Sequence, residues 1–454
     1  MDKTAKDNNL LYSNQALKTL IIPLVFEQLL ALLVGLADTL MISSVGEAAV
    51  SGVSLVDTIN VLIINIFTAF GTGGAVIAGH YLGKKNEDNA RKAGWQILLF
   101  SLVSSFVVTA IFILFHNGLL QLIIGKVEAD VMSNAKSYLV MTAISFVPLA
   151  IYNACAGLFR TMGDSKTTLY ISLLMNVLNV IGNAVLIYGA GIGTLGAAIS
   201  TTFSRTVAAV IIFIMLFDRK RVINFRGQVT WRFRPDMLKK ILYIGLPNSL
   251  ENSLFQLGKI LTVSMISTMG TYAIAANAVC NTLASFNVLP GSAINSGIVA
   301  IVSVCIGAGE TEQARYYTKK LMKLAEIGII IMSVLIIVGS GWVIDFYHLS
   351  PEATQLARQV LIYHAILAIL FWILSFSLPN TFRAAGDVVL PMGVAIGSMW
   401  VFRLGFAYLL GIYMGLGLMG VWIAMTIDWI FRSICFAVRF KGHRWERKMI
   451  GGRA

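Results

Sequence analysis

LIIPLVFEQLLALLVGLADTLMISSVG (residues 20–46) decides the fold class. Apart from Glu27, Gln28, Asp38 and a few small hydroxyl residues, the stretch is apolar over more than twenty positions. About twenty such residues in a helix cross the hydrocarbon core of a bilayer. Similar runs recur along all 454 residues, separated by short polar stretches. The composition agrees. Hydrophobic residues make up 57% of the chain and charged residues 13%, against about 25% charged in a soluble domain. The expectation is an all-α polytopic membrane protein. We read twelve transmembrane helices, over 16–43, 47–82, 89–115, 130–158, 166–188, 194–217, 237–267, 271–306, 314–344, 355–383, 388–413 and 416–439.

Working outward, the second half of the chain copies the first. PLVFE with Pro23 and Glu27 returns as PNSLE with Pro247 and Glu251, 224 positions later. SSVGEAAVSG (43–52) returns as STMGTYAIAA (267–276), and LGKKNEDNARK (82–92) as IGAGETEQARY (306–316). GLFRTMGD (157–164) returns as NTFRAAGD (380–387) at an offset of 223. A near-constant offset over six spans means two pseudo-symmetric six-helix bundles in the same orientation. Parallel repeats about an axis along the membrane normal are a transporter architecture. The expected organisation is an N-terminal segment (1–15), a first lobe (16–217), a basic linker (218–236), a second lobe (237–440) and a basic tail (441–454).

Charge orients the chain. Lys84, Lys85, Arg91 and Lys92 lie between spans 2 and 3, and Arg219, Lys220, Arg221, Arg226, Arg232, Arg234, Lys239 and Lys240 cluster between spans 6 and 7. Arg315, Lys319 and Lys320 follow span 8, and Arg439, Lys441, Arg444, Arg447 and Lys448 follow span 12. The alternate loops 43–47, 189–194, 268–271 and 412–416 carry neither Lys nor Arg. The positive-inside rule then puts both termini in the cytoplasm. The net charge of +13 reflects this bias and attraction to anionic lipid, and implies no nucleic-acid partner. MDKTAKDNNLLYSNQ (1–15) lacks the apolar core of a cleavable signal peptide. Cys155, Cys280, Cys305 and Cys435 fall in apolar runs without metal-ligand spacing, as packed thiols do.

Asp38 is the residue that needs explaining. A carboxylate at bilayer depth costs about 2.5–3.5 kcal/mol on insertion scales, so function or pairing must offset it. No Lys or Arg stands within a turn of it. Span 5 offers Asn176, Asn179 and Asn183, whose spacing shares one helical face. Tyr138 and Asn153, about four turns apart, can face the same cavity. One carboxylate with several neutral oxygens suits a hard monovalent cation, and transporter sodium sites use such oxygens. A proton is the alternative, since burial favours the neutral acid. A structural carboxylate tied to amides is the plainer reading of Asp38, as interhelical glue is of the asparagines.

With these residues in place, the chain resembles the multidrug and toxic compound extrusion (MATE) transporters over about residues 12–440. The resemblance rests on DTLMISSVG (38–46), LGKKNEDNARK, FRTMGD (159–164), FRAAGD (382–387) and NVLNVIGNAVLIYG (176–189). It implies a secondary active antiporter that exports cationic or amphipathic compounds in exchange for Na+ or H+ by alternating access. It implies no cofactor and a small-molecule organic cation as partner; the loop spacing and the membrane class suggest a bacterial inner membrane, with an organelle membrane as the alternative. It also implies residue roles. Asp38 matches the first-span aspartate tied to cation binding, and Pro23 the proline that lets that helix bend. Tyr138 and Asn153 match polar residues of span 4, Asn179 and Asn183 the paired positions of span 5, and Thr201 a proposed ligand of span 6. Position 183 is asparagine where many relatives carry aspartate, which leaves the site one carboxylate short and leans toward sodium. Asp38, Asn179 and Asn183 would then hold the metal ion. The second half-site of some members falls on apolar residues, Phe255 and near Trp372.

Other polar residues are weaker candidates. Glu27 and Glu251, each a turn past a proline, suit a helix-end role or contact with substrate. Asp57 could face the cavity and meet a cationic substrate. Lys259, Arg403, Asp428 and Arg432 could form charge pairs in the second lobe, though the sequence cannot pair them. His364 suits packing. GIGTLG (191–196) fits a dinucleotide fingerprint but lies between two membrane spans, where no βαβ unit can form. GTGG (71–74) reads as a close-packing stretch. There is no H-E-x-x-H and no Ser/His/Asp set, so an enzyme is not expected. Flipping of a lipid-linked precursor is the alternative function; a non-transporting sensor or channel ranks below it. A monomer suffices, because the pathway lies within one chain.

Overall fold

The computed structural model describes residues 10–124, 127–345 and 347–446. The expected N-terminal segment lies partly outside the described residues, as does the end of the basic tail with Arg447 and Lys448. Twelve helical spans appear, mostly joined by short turns, with the longer stretch 216–234 between spans 6 and 7 and no strand among the described residues. Ten helices are long and apolar enough to cross a membrane, and a pair bent by 46° makes an eleventh. The remaining one, span 7 (Pro235–Ser267), is 33 residues long. Asn248, Glu251, Asn252, Gln256 and Lys259 dilute its apolar character. A short helix, His116–Ile124, was not anticipated. The chain packs as two units. One spans Tyr12–Ser249, and the other runs from Leu250 onward and includes Leu11.

Span 1 is a single helix, Asn14–Ser43, that runs through Pro23. Span 2 is Glu47–Gly83, span 3 Glu87–Leu114, span 5 Ser165–Asn183 and span 6 Gly193–Met215. Two expected single helices are broken. Span 4 splits into Ala129–Ile144 and Phe146–Thr161. Span 8 splits into Thr271–Asn287 and Leu289–Gly307. The cause is local in both. Pro148 and Pro290 have no N–H for the carbonyls of Ile144 and Phe286, four residues earlier, and each ring crowds that turn. Spans 5, 10 and 11 instead widen to i→i+5 turns, over Ala184–Gly189, Ile373–Ser377 and Met399–Gly405 with Ala407–Tyr413. Such widened turns free backbone groups and often mark functional sites.

The repeat is written into the backbone. Gly163 and Gly386 end the FRTMGD and FRAAGD helices, each at φ 83°. A left-handed residue closes the helix there, and glycine takes it without steric cost. GIGTLG has the same explanation. Gly191 and Gly193 sit at φ 67° and 53°, and Gly415 and Gly417, 224 positions later, at 70° and 56°. The motif is the turn between spans 5 and 6, duplicated between spans 11 and 12 (Gly417–Lys441).

GTGG is indeed a close contact. A methyl added at Gly73 would stand 2.6 Å from the Ile241 carbonyl oxygen, and one at Gly74 2.5 Å from the Ile97 side chain. The backbones of spans 2 and 7 therefore touch, as small residues allow in membranes. Gly73→Ala is expected to destabilise the protein by about 1–3 kcal/mol, because a backbone oxygen cannot step aside. Gly35 has no atom within 4 Å of its added methyl. Gly35→Ala should therefore cost nothing. Thermal unfolding of the two detergent-solubilised variants checks this; equal midpoints would show that the contact carries no weight.

Candidate functional site

The first unit collects most of the sequence-expected polar residues on spans 1, 2, 4, 5 and 6. Span 1 brings Asp38 against span 5, where Asn183 Nδ2 donates to Asp38 Oδ1 at 2.6 Å. One turn earlier, Asn179 Nδ2 donates to Thr201 Oγ1 of span 6 at 3.1 Å. Ser200 Oγ donates to the Asn179 carbonyl at 2.7 Å, which ties the same two helices again. The asparagine spacing works as the helical period requires, since Asn176, Asn179 and Asn183 are all buried.

The orphaned atoms matter more than the bonds. The side-chain oxygens Oδ1 of Asn179 and Asn183 are buried and accept no hydrogen bond. Burying an amide oxygen unpartnered costs about 1–3 kcal/mol. Two such oxygens come from residues one turn apart on span 5, and one of those residues bonds the Asp38 carboxylate, so the helix offers hard oxygen donors there. That is the chemistry a sodium ion would satisfy. No cluster of three or more His, Cys, Asp or Glu side chains fit for a metal occurs among the described residues.

Asp57 joins a neighbouring group on spans 2 and 4. Its Oδ1 accepts from Asn60 Nδ2 at 3.1 Å and from the Tyr138 hydroxyl at 3.2 Å. Tyr138 is thus bound to Asp57 and not to Asp38. Asn153 and Asn176 make no side-chain hydrogen bond to either carboxylate; an Nδ2 of each is buried and unpartnered. The sequence reading missed Arg205 of span 6. It lies within electrostatic reach of both Asp38 and Asp57. It forms no ion pair among the described residues, and its Nη1 donates to Ser145 Oγ at 2.8 Å. Ser145 sits at the break in span 4, so the proline break also serves the site. A residue 167 positions from Asp38 leaves no signal in local sequence; an arginine inside an apolar span was the available clue.

Glu27 and Glu251 have different surroundings. Arg160 Nη2 donates to Glu27 Oε1 at 2.5 Å, and Thr168 Oγ1 to Glu27 Oε2 at 3.1 Å. Arg383 Nη2 donates to Glu251 Oε1 at 2.6 Å, and its Nη1 to Asn380 Oδ1 at 2.8 Å. The arginines come from FRTMGD and FRAAGD, so the same ion pair is built in both repeats. Each glutamate expected as a candidate for substrate contact has its charge taken up by an arginine. Asp164 caps span 5 through the Thr167 amide and accepts from Arg221, while Asp387 pairs with Arg439.

A repeated bundle of bilayer-length helices, with half-buried carboxylates and buried amides inside one unit, is the architecture of a multi-pass secondary transporter. The MatE family model matches residues 23–185 and again 247–409, the same register offset by 224. The chain belongs to this family of membrane transporters. It is 29% identical to "Uncharacterized transporter YisQ" of Bacillus subtilis, with 94% of each chain covered. It is 25% identical to "Probable multidrug resistance protein NorM" of Thermotoga maritima, covering 95% of this chain and 93% of that one. Among solved structures, "Crystal structure of MATE in complex with MaD3S" superposes with a TM-score of 0.87 at 21% identity, over 95% of both chains. That likeness shows the twelve-helix fold.

Proposed function

We propose that this transporter exports organic cations in exchange for sodium, and that the coupling ion binds in the first unit around Asp38. The observation that carries the reading is the pair of orphaned amide oxygens of Asn179 and Asn183 beside the Asp38 carboxylate. Asn183 orients the carboxylate by its Nδ2, and Thr201 orients Asn179. Each amide thereby keeps a buried side-chain oxygen without a hydrogen-bond donor. Asp57, held by Tyr138 and Asn60, supplies a second negative charge in the same unit. Cationic cargo and sodium would then compete for acidic oxygens, and that competition is what exchange requires. A ligand moves a two-state transporter only through its differential affinity for the two states. The name "Probable multidrug resistance protein" borne by a relative agrees with a broad organic substrate range. In this reading the chain works as a monomer in a bacterial inner membrane with both termini cytoplasmic.

The test is efflux of a fluorescent cationic dye from proteoliposomes under a sodium gradient at equal pH, and separately under a pH gradient at equal sodium. Faster efflux under the sodium gradient alone is the expected result. Efflux driven by the pH gradient alone would replace sodium by a proton. No response to either gradient would remove the antiport reading.

A further inference from the structure

The second unit carries a buried excess of positive charge that the export reading does not use. Lys259 of span 7, Arg403 of span 11 and Arg432 of span 12 converge on the ring of Phe255. Lys259 Nζ lies 5.9 Å from the ring centroid, and the guanidinium carbons of Arg403 and Arg432 lie 5.2 and 5.5 Å from it. One carboxylate answers these three cations. Arg432 Nε donates to Asp428 Oδ1 at 2.8 Å and shares that hydrogen with Ser398 Oγ at 2.8 Å. Arg432 Nη2 donates to the Ala395 carbonyl at 3.0 Å. Arg432 is therefore satisfied. Arg403 is not. Its Nη1 stands 3.9 Å from Asp428 Oδ2, too far for a hydrogen bond, and its Nε is buried without a partner. Lys259 forms no ion pair among the described residues.

Charge arithmetic makes the cluster more than a structural pair. Asp428 is shared between Arg432 at 2.8 Å and Arg403 at 3.9 Å, so one carboxylate faces three cations and a net positive charge remains. The Arg403 side chain is only 11% exposed. A guanidinium that shares its one carboxylate and leaves Nε without an acceptor is costly at that burial, and a ring quadrupole lowers the cost without cancelling the charge. Lys259, by contrast, stays accessible. A bound group can therefore reach the lysine first and then the orphaned Arg403 Nε. Guanidinium forks and ammonium groups together select oxyanions. Phe255, Phe376 and Trp429 stand around the same guanidiniums and rings as an aromatic wall, which suits an apolar body behind the anionic group.

We infer that the second unit holds an oxyanion-binding site, formed by Lys259 and Arg403 beside Phe255 and positioned by the Arg432–Asp428 pair. Its ligand class is a carboxylate, sulfonate or phosphate carried on an apolar or aromatic body. Such a group could belong to a soluble amphipathic anion or to a lipid headgroup.

The test measures binding of dansyl sulfonate and of its neutral analogue dansyl amide to the full chain in phosphatidylcholine nanodiscs, by fluorescence anisotropy against empty nanodiscs. The sulfonate should bind at least about tenfold tighter than the amide. Lys259→Gln should weaken the sulfonate about tenfold and leave the amide unchanged. Lys259 has no partner to lose, so this variant should fold; Arg403→Lys is the second, keeping the charge while removing Nε, and should weaken the sulfonate severalfold. Equal binding of sulfonate and amide, or a sulfonate affinity unmoved by Lys259→Gln, would overturn the site. Replacing part of the lipid by phosphatidylglycerol then names the source. Lys259-dependent competition marks a lipid headgroup, and its absence a soluble anion. No ion gradient is present, so failure here is separate from failure of sodium-driven efflux.

Discussion

Asp38→Asn should leave the protein folded and abolish gradient-driven efflux. The substitution is nearly isosteric, and its side-chain oxygen can still accept from Asn183 Nδ2, which now bonds Asp38 at 2.6 Å. Stability should therefore shift by less than about 1 kcal/mol, the worth of converting one such bond to a neutral one. Coupling is different, because the negative charge has gone. A charged hydrogen bond or ion contact of about 1.5–3 kcal/mol corresponds to a loss of tenfold or more in cation affinity. Dye efflux should fall by at least that factor while the unfolding midpoint stays within a degree or two. The companion variant, Asn183→Asp, sets two carboxylates side by side. Like charges at that distance share a proton, so its efflux should respond to a pH gradient. Wild-type rates in Asp38→Asn would make the carboxylate structural and dissolve the site.

The largest stability effect should come from Glu27→Gln. Glu27 and Arg160 have side chains 9% and 21% exposed, and their bond is reinforced by Thr168. Removing one partner of a buried pair leaves the other charge stranded, at a cost of about 3–5 kcal/mol. Glu27→Gln should lower the unfolding midpoint sharply, and Glu27→Gln with Arg160→Gln should recover much of the loss. Glu251→Gln, its repeat mate, should behave alike, since Arg383 and Glu251 are 11% and 12% exposed. Glu87–Arg91 provides the control. That pair is 54% and 31% exposed, and Glu87→Gln should cost under about 1 kcal/mol. Similar costs for Glu27→Gln and Glu87→Gln would remove the structural role assigned to the duplicated pair.

How much of this was legible in the chain differs by kind of feature. The span count, the repeat and the left-handed glycines are local properties. Each depends on residues within one helix or turn, or on two stretches compared at a fixed offset. The helix breaks at Ser145 and Val288 were legible in principle too, since Pro148 and Pro290 act on the carbonyl four residues back. The asparagine face of span 5 followed from helical period alone. What no local pattern carries is the partner across a helix interface. Asp38 meets Asn183 from 145 positions away, and Glu27 meets Arg160 from 133. Tyr138 was grouped with Asp38 by helix position, yet its hydroxyl bonds Asp57. Arg205, Lys259 and Arg403 appear in sequence only as costly charges in apolar spans. Packing alone decides whether such a charge is fully hydrogen-bonded, as Arg432 is, or only partly satisfied, as Arg403 is. The sequence by itself determined the membrane class, the two-fold repeat and which residues are too polar for their surroundings. The tertiary structure decided which of those are satisfied, because electrostatic compensation depends on distance through space and not along the chain.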